Sequence, residues 1–319
     1  MKSIWILIIA ALLLISAVLL PPLPFPSKHY NYFFIIDITR SMNVPDYLNA
    51  EGDPITRLDK IKFDVLSVIQ QLPCGSRVGL GVFTERTPTM LYSPIEVCSD
   101  YSELRKSINS LDWRMAWVAD SNIIMALYNS LELMHTVSLD NTTLVFFTDG
   151  HEAPPMNPNS NPDLAELQAG ESEPVIKGII IGTGDHALSR IPKYDQDGIN
   201  VGYYTAEDVP QGIMTGLSVN HGVKTGIVPH NPRHVRRENK VDSTEHLSKL
   251  REDYLKTLAE QAKLHYHHLQ SSDGLLSALT HQDFSEKHTQ KTDLSYIPAA
   301  LAFLFLVLAY LPDKLFRRQ

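Results

Sequence analysis

The chain's 319 residues have room for one large domain or two small ones, and its two cysteines, Cys74 and Cys98, belong to no C-x-x-C metal or redox pair. Its formal net charge is −8 at pH 7, and the basic residues Lys2, Lys314, Arg317 and Arg318 crowd the two ends, so the middle is more acidic still. That balance argues against nucleic acid as a partner, because phosphate backbones select basic surfaces.

In chain order, residues 4–20 form an uncharged apolar run broken only by Ser16. They read as an N-terminal membrane anchor over residues 1–22, with a cleaved signal peptide as the alternative and Lys2 as its basic start. Residues 23–31, rich in proline, read as a linker that forms neither helix nor sheet. "YFFIID" (32–37) has the pattern of a strand buried on both faces. A helix is expected over 56–72, where apolar residues recur at helical spacing until Pro73 and Gly75 stop it.

The stretch between Cys74 and Cys98 reads as strand, turn and strand centred on Arg86. Residues equidistant from a hairpin turn face each other, so the two cysteines should meet as a disulfide. Helices follow over 99–111 and 121–137, then buried strands over 142–149 and 174–184. Residues 185–245 read as an irregular insertion holding one small extra strand in "GINVGYYT". A helix over 248–264, a strand over 265–270 and a short helix in "DGLLSALTHQDF" close this body at residue 284. Residues 285–295 read as a second linker, 296–312 as a transmembrane helix and 313–319 as a cytoplasmic tail. Strands alternating with helices predict an α/β class: a mostly parallel sheet, helices on both faces and one antiparallel edge hairpin.

Sites in open α/β sheets form beyond the carboxyl ends of the strands. Three segments supply oxygen donors there: Asp37-x-Thr39-x-Ser41 after the first strand, Ser121 at a helix start, and Asp149 in "FFTDG". Two carboxylates and three hydroxyls without a thiolate suit a hard divalent ion, Mg²⁺, Mn²⁺ or Ca²⁺. The alternative is that the hydroxyls cap helices and the carboxylates satisfy turn amides.

This set resembles the metal-ion-dependent adhesion site of the von Willebrand factor A domain, with Thr39 where the family has Ser and Ser121 where it has Thr. The resemblance implies a Rossmann-like fold and a metal that seeks a further oxygen from a partner. The strings "DITRSMNVPDY", "LPCGSRVGLGVFTE", "PIEVC", "DWRMAW", "FTDGHEAPP", "IPKYD" and "EHLSKLREDYLKTLA" also resemble the MxaL family, accessory proteins of bacterial methanol dehydrogenase. That resemblance implies a membrane-held, periplasm-facing protein of the bacterial inner membrane. Its role would be to mature a PQQ-dependent, Ca²⁺-containing quinoprotein dehydrogenase. A second reading is a Bat-like von Willebrand A membrane protein working with a MoxR-type ATPase.

No G-x-S-x-G elbow, Walker loop or H-E-x-x-H is present, so no enzymatic activity is expected. His151 and Glu152 read as rim residues that touch a partner, and Trp113 and Trp117 either anchor one or pack the loop. "HYHHLQ" places His265 and His267 on one strand face, as a metal pair or a half-exposed sheet edge.

Overall fold

Tyr32, Phe34 and Ile36 pack into one hydrophobic cluster, Phe33 and Ile35 into another, and all five are fully buried. Successive residues of a strand face opposite sides, so this one segment places helices on both faces of a sheet. The computed structural model describes residues 2–116, 121–139, 141–153, 161–168, 175–195, 197–209, 244–292 and 294–310.

The elements run in chain order from α1 (Lys2–Leu19) through β1 (Leu23–Asp37), β2 (Tyr47–Leu48) and β3 (Pro54–Ile55) to α2 (Arg57–Gln71). The hairpin β4 (Arg77–Thr84) and β5 (Thr87–Glu96) follows, then α3 (Tyr101–Asn109), α4 (Ile123–Thr136), β6 (Thr143–Thr148), α5 (Leu164–Leu167) and β7 (Gly178–Gly182). Next come β8 (Ser189–Arg190), β9 (Pro192–Tyr194), β10 (Asn200–Tyr203) and β11 (Leu247–Ser248). The chain continues through α6 (Glu252–Gln261), β12 (His265–His268), α7 (Ser272–Leu279), β13 (Ser285–Thr292) and α8 (Tyr296–Tyr310).

Two units separate: Met1–Lys28 with Glu286–Gln319, and His29–Ser285. In the second, the sheet order is β12-β7-β6-β1-β4-β5, parallel throughout except for the antiparallel β4–β5 edge. Leu58, Ile61, Val65 and Val68 of α2 pack with α3 and α7 on the Tyr32 face. Leu127 and Leu131 of α4 pack with Leu255 and Leu258 of α6 on the Phe33 face. Thr56 starts α2 by accepting the Asp59 N–H, a side-chain N-cap. In the hairpin Thr84 faces Thr87 and Arg77 faces Glu96, and Cys74 and Cys98 form a disulfide with their Cα atoms 5.4 Å apart.

The terminal unit differs from the sequence expectation in two ways. The segments expected as linkers, 23–31 and 285–295, contribute to strands β1 and β13, and β13 pairs with β1. A ladder tolerates proline where the missing N–H is not needed, as at an edge, so composition alone misleads here. Second, among the described residues no helix is long and apolar enough to cross a membrane. The 18 residues of α1 rise about 27 Å and the 15 of α8 about 22 Å, against a hydrocarbon core of about 30 Å. Over the spans expected at 1–22 and 296–312 the described residues form two apolar helices that pack against each other, still exposing Trp5, Val18 and Phe303. The tail over 313–319 lies outside the described residues.

The insertion is more ordered than expected where it is described. β9 pairs with β10, and β8 pairs with β11. Residues 210–243 lie outside the described residues.

Candidate metal centre

Parallel pairing of β1 with β6 sets Ile36 beside Phe147, so both chains leave the sheet at the same level. Asp37 ends β1 and Asp149 follows β6 directly, and both side chains are fully buried. Asp37 Oδ1 accepts the Thr39 N–H at 2.8 Å and Oδ2 accepts the Thr148 hydroxyl at 2.7 Å. Asp149 Oδ1 accepts the His151 N–H at 2.9 Å. Gly150 takes φ +76°, the left-handed turn that the "TDG" glycine makes accessible.

The three hydroxyl-bearing residues share one cavity. Thr39 Oγ1 lies 3.3 Å from Ser41 Oγ, and Thr39, Ser41 and Ser121 line one cavity of about 140 Å³. Thr39 precedes the short 3-10 turn Arg40–Asn43 yet makes no side-chain cap, so its hydroxyl is not used by the turn. Ser121 differs slightly from expectation: Asn122 caps α4 by accepting the Met125 N–H, and Ser121 stands one residue earlier. Its N–H donates to the Ala153 carbonyl at 2.8 Å, and Asn122 N–H donates to the Glu85 carbonyl at 2.6 Å. These bonds hold the Ser121 backbone while its buried Oγ has no hydrogen-bond partner among the described residues.

The donor set therefore fits a hard cation. Three hydroxyl-bearing residues line the cavity, Ser121 with an orphaned Oγ, and the two carboxylates of the adjoining loops are fully buried. Burial, together with the neighbouring Asp149 carboxylate, pushes the Asp37 carboxyl up to about 7. Among the described residues no cation pairs with Asp37, and a bound divalent ion would supply that countercharge.

Asp149 already has one, which sequence reasoning missed. Arg57 Nη1 donates to Asp149 Oδ2 at 2.5 Å and to Ser248 Oγ at 2.6 Å, and its Nε and Nη2 both donate to Asp46 Oδ2, at 2.9 and 2.6 Å. Nη1 also reaches the Ser41 carbonyl at 3.4 Å, tying the loop after β1 to the loop after β6. Burial opposes the guanidinium charge, but Asp149 and Asp46 outweigh it and hold the arginine's pKa above its ordinary range. Burial likewise pushes Asp149 up, and Arg57 foremost pulls it below the usual carboxylate value. One signal was available: Arg57 opens α2, where the helix dipole disfavours a cation, so an outside carboxylate was implied.

His151 is buried, lines the cavity and sets its Nε2 3.4 Å from Glu245 Oε2, which lines it too. Tyr204 and Asp208 of the insertion also line the cavity, and Arg40 lies over the Tyr204 ring at 4.9 Å. Glu152 is not a free rim residue. It accepts the Tyr254 hydroxyl at 2.6 Å and the Ile124 N–H at 3.4 Å, and burial raises its pKa. The start of α4 offers this carboxylate backbone donors, which draws it inward. Trp113 is partly buried and stacks on Tyr194 with ring centroids 5.5 Å apart, so it packs the loop against β9. Trp117 lies outside the described residues.

Residues 32–151 match the family model described as von Willebrand factor type A domain, a span that contains all five oxygen-bearing residues. With its mostly parallel sheet and two helical layers, this part of the chain has the von Willebrand A-type α/β fold. No curated protein sequence matches the chain significantly. Among solved structures, BatB from Bacteroides thetaiotaomicron, a conserved hypothetical protein, is 15% identical, with 78% of this chain and 94% of that one covered and a TM-score of 0.48. An aerotolerance-related membrane protein from Bacteroides fragilis is 13% identical, covering 78% and 95%, with a TM-score of 0.48. An uncharacterized membrane-spanning protein from Vibrio fischeri is 16% identical, covering 78% and 95%, with a TM-score of 0.29.

Proposed function

We propose that this chain is a metal-dependent protein-binding module held at a membrane, and not an enzyme. One observation carries the reading: Thr39, Ser41 and Ser121 line one cavity with Ser121 Oγ unpartnered, and the buried Asp37 carboxylate holds the Thr39 backbone. Bound there, Mg²⁺, Mn²⁺ or Ca²⁺ supplies an electrophile that accepts an oxygen from a partner's acidic side chain. Neutral hydroxyl donors leave the ion electron-poor, and the arginine at Asp149 reduces the negative charge further. The exposed apolar faces of α1 and α8 support membrane attachment, and the basic residues at the C-terminal end support a main body on the periplasmic side.

For the client we propose a periplasmic quinoprotein dehydrogenase or its accessory proteins, and maturation by metal insertion or assembly as the role. The loop strings that resemble the MxaL family support this choice. The second reading, a Bat-like membrane protein acting with a MoxR-type ATPase, is favoured by the match of residues 32–151 to the general domain model. Purified full-length protein in detergent, challenged with metal-depleted dehydrogenase, separates them. Retention in Mg²⁺ and release by EDTA supports the first. Retention of a MoxR-type ATPase instead, with no dehydrogenase bound, selects the second.

A further inference from the structure

On the β12 edge of the sheet, His265 Nε2 and His281 Nδ1 both approach one oxygen of Asp283, Oδ2, each at 3.3 Å. The three ligand atoms lie within 4.8 Å of one another, and all three residues are exposed. We propose that this triad is a second metal site, selective for a borderline transition ion such as Zn²⁺. It is independent of the hard-ion centre proposed above, sharing no residue with it.

The chemistry differs from that centre in its donors. Two imidazole nitrogens and one carboxylate suit Zn²⁺, Ni²⁺ or Cu²⁺, whereas Mg²⁺ and Ca²⁺ prefer oxygen alone. Ligand atoms about 2.0–2.2 Å from a tetrahedral ion stand roughly 3.3 Å apart, which is the separation each nitrogen already keeps from the carboxylate. Positioning comes from several elements. β12 fixes His265, whose strand register sets it beside Ile179. His281 caps the short turn Gln282–Phe284, and the Phe284 ring packs edge-on against both imidazoles.

His281 Nδ1 stands 3.4 Å from the Asp283 backbone nitrogen and 3.3 Å from the Asp283 carboxylate oxygen. The long N–H contact is weak and easily exchanged for a metal bond. Three protein ligands leave a fourth tetrahedral position open to water or to a side chain of another protein. The sequence reading paired His265 with His267, but in the fold His267 is the wrong neighbour: adjacent-but-one on the strand, it lies close to Gly274 of α7.

Titrating the full-length protein with Co²⁺ as a spectroscopic stand-in, then with Zn²⁺, tests the site. With Mg²⁺ in excess to fill the hard-ion centre, one equivalent should bind with the intense visible absorption of tetrahedral Co²⁺, and Zn²⁺ should displace it. His281→Ala and Asp283→Asn, both exposed and remote from the core, should each weaken binding at least tenfold. Ser121→Ala should leave it unchanged, so failure here is distinguishable from failure at the first centre. Absence of the tetrahedral Co²⁺ band, or Zn²⁺ binding equal in wild type and both variants, would overturn the proposal.

Discussion

Arg57 donates to Asp149 at 2.5 Å, and neither side chain is exposed to solvent. A buried ion pair is costly to break from one side, because the remaining charge stays uncompensated. Arg57→Met should therefore destabilise the protein by about 3–5 kcal/mol, read as a fall in denaturation midpoint. Saturating Mg²⁺ should recover more stability in this variant than in wild type, since the ion then faces two uncompensated carboxylates. Equal Mg²⁺ stabilisation of both proteins would show that Arg57 and the metal do not share Asp149.

The arginine is threaded past a glycine. A Cβ built on Gly184 would stand 2.6 Å from Arg57 Nε, and the residue takes φ +115°. Gly184→Ala should cost more than about 1 kcal/mol through backbone strain alone, with a further loss as the guanidinium is displaced. Thermal unfolding of the variant checks this, and a midpoint equal to wild type contradicts it.

The raised Asp37 value gives a pH signature. Its carboxyl titrates at about 7 when folded against an ordinary 3.8, so between those values the folded protein holds a proton that the unfolded chain has released. Stability of the metal-free protein therefore falls as pH rises through that window and levels off above it. Metal binding needs the carboxylate, so Mg²⁺ affinity should rise with pH over the same range, up to about tenfold per unit below 7. Calorimetric titrations at several pH values read this directly. A pH-independent affinity between about 5 and 7 would contradict the assignment.

The disulfide stabilises without touching the metal face. Cys74 and Cys98 close a loop with a sequence separation of 24, for which chain entropy gives about 3.5 kcal/mol. The double variant Cys74→Ser, Cys98→Ser should lose roughly that much while Mg²⁺ affinity stays at its wild-type value. Thiol labelling of denatured, unreduced wild-type protein should find no reactive cysteine.

The strand and helix pattern was legible because burial on two faces leaves long apolar runs: "YFFIID" and "TTLVFFTD" could hardly be anything but central strands. Asp37, Thr39, Ser41 and Asp149 were legible because strand ends place them by topology alone. Arg57, Asp46 and Ser248 were not, because they come from α2, the loop before β2 and β11, and meet only through tertiary packing. Nor could periodicity show that Glu152 turns inward to Tyr254, or that proline-rich residues 23–31 continue a strand. In each case the partner that decides the outcome is remote in sequence.

The central claim is a divalent-metal site, and Ser121→Ala tests it most directly. Replacing Asp149 would strand Arg57 in the core, whereas the Ser121 hydroxyl loses no protein hydrogen bond on removal. Calorimetric titration of the full-length protein with Mg²⁺ and Mn²⁺ at pH 8 should show one site in wild type. In Ser121→Ala, at an unfolding temperature unchanged from wild type, binding should be weaker by about tenfold or more. Identical isotherms for the two proteins, or none in wild type, would contradict the account.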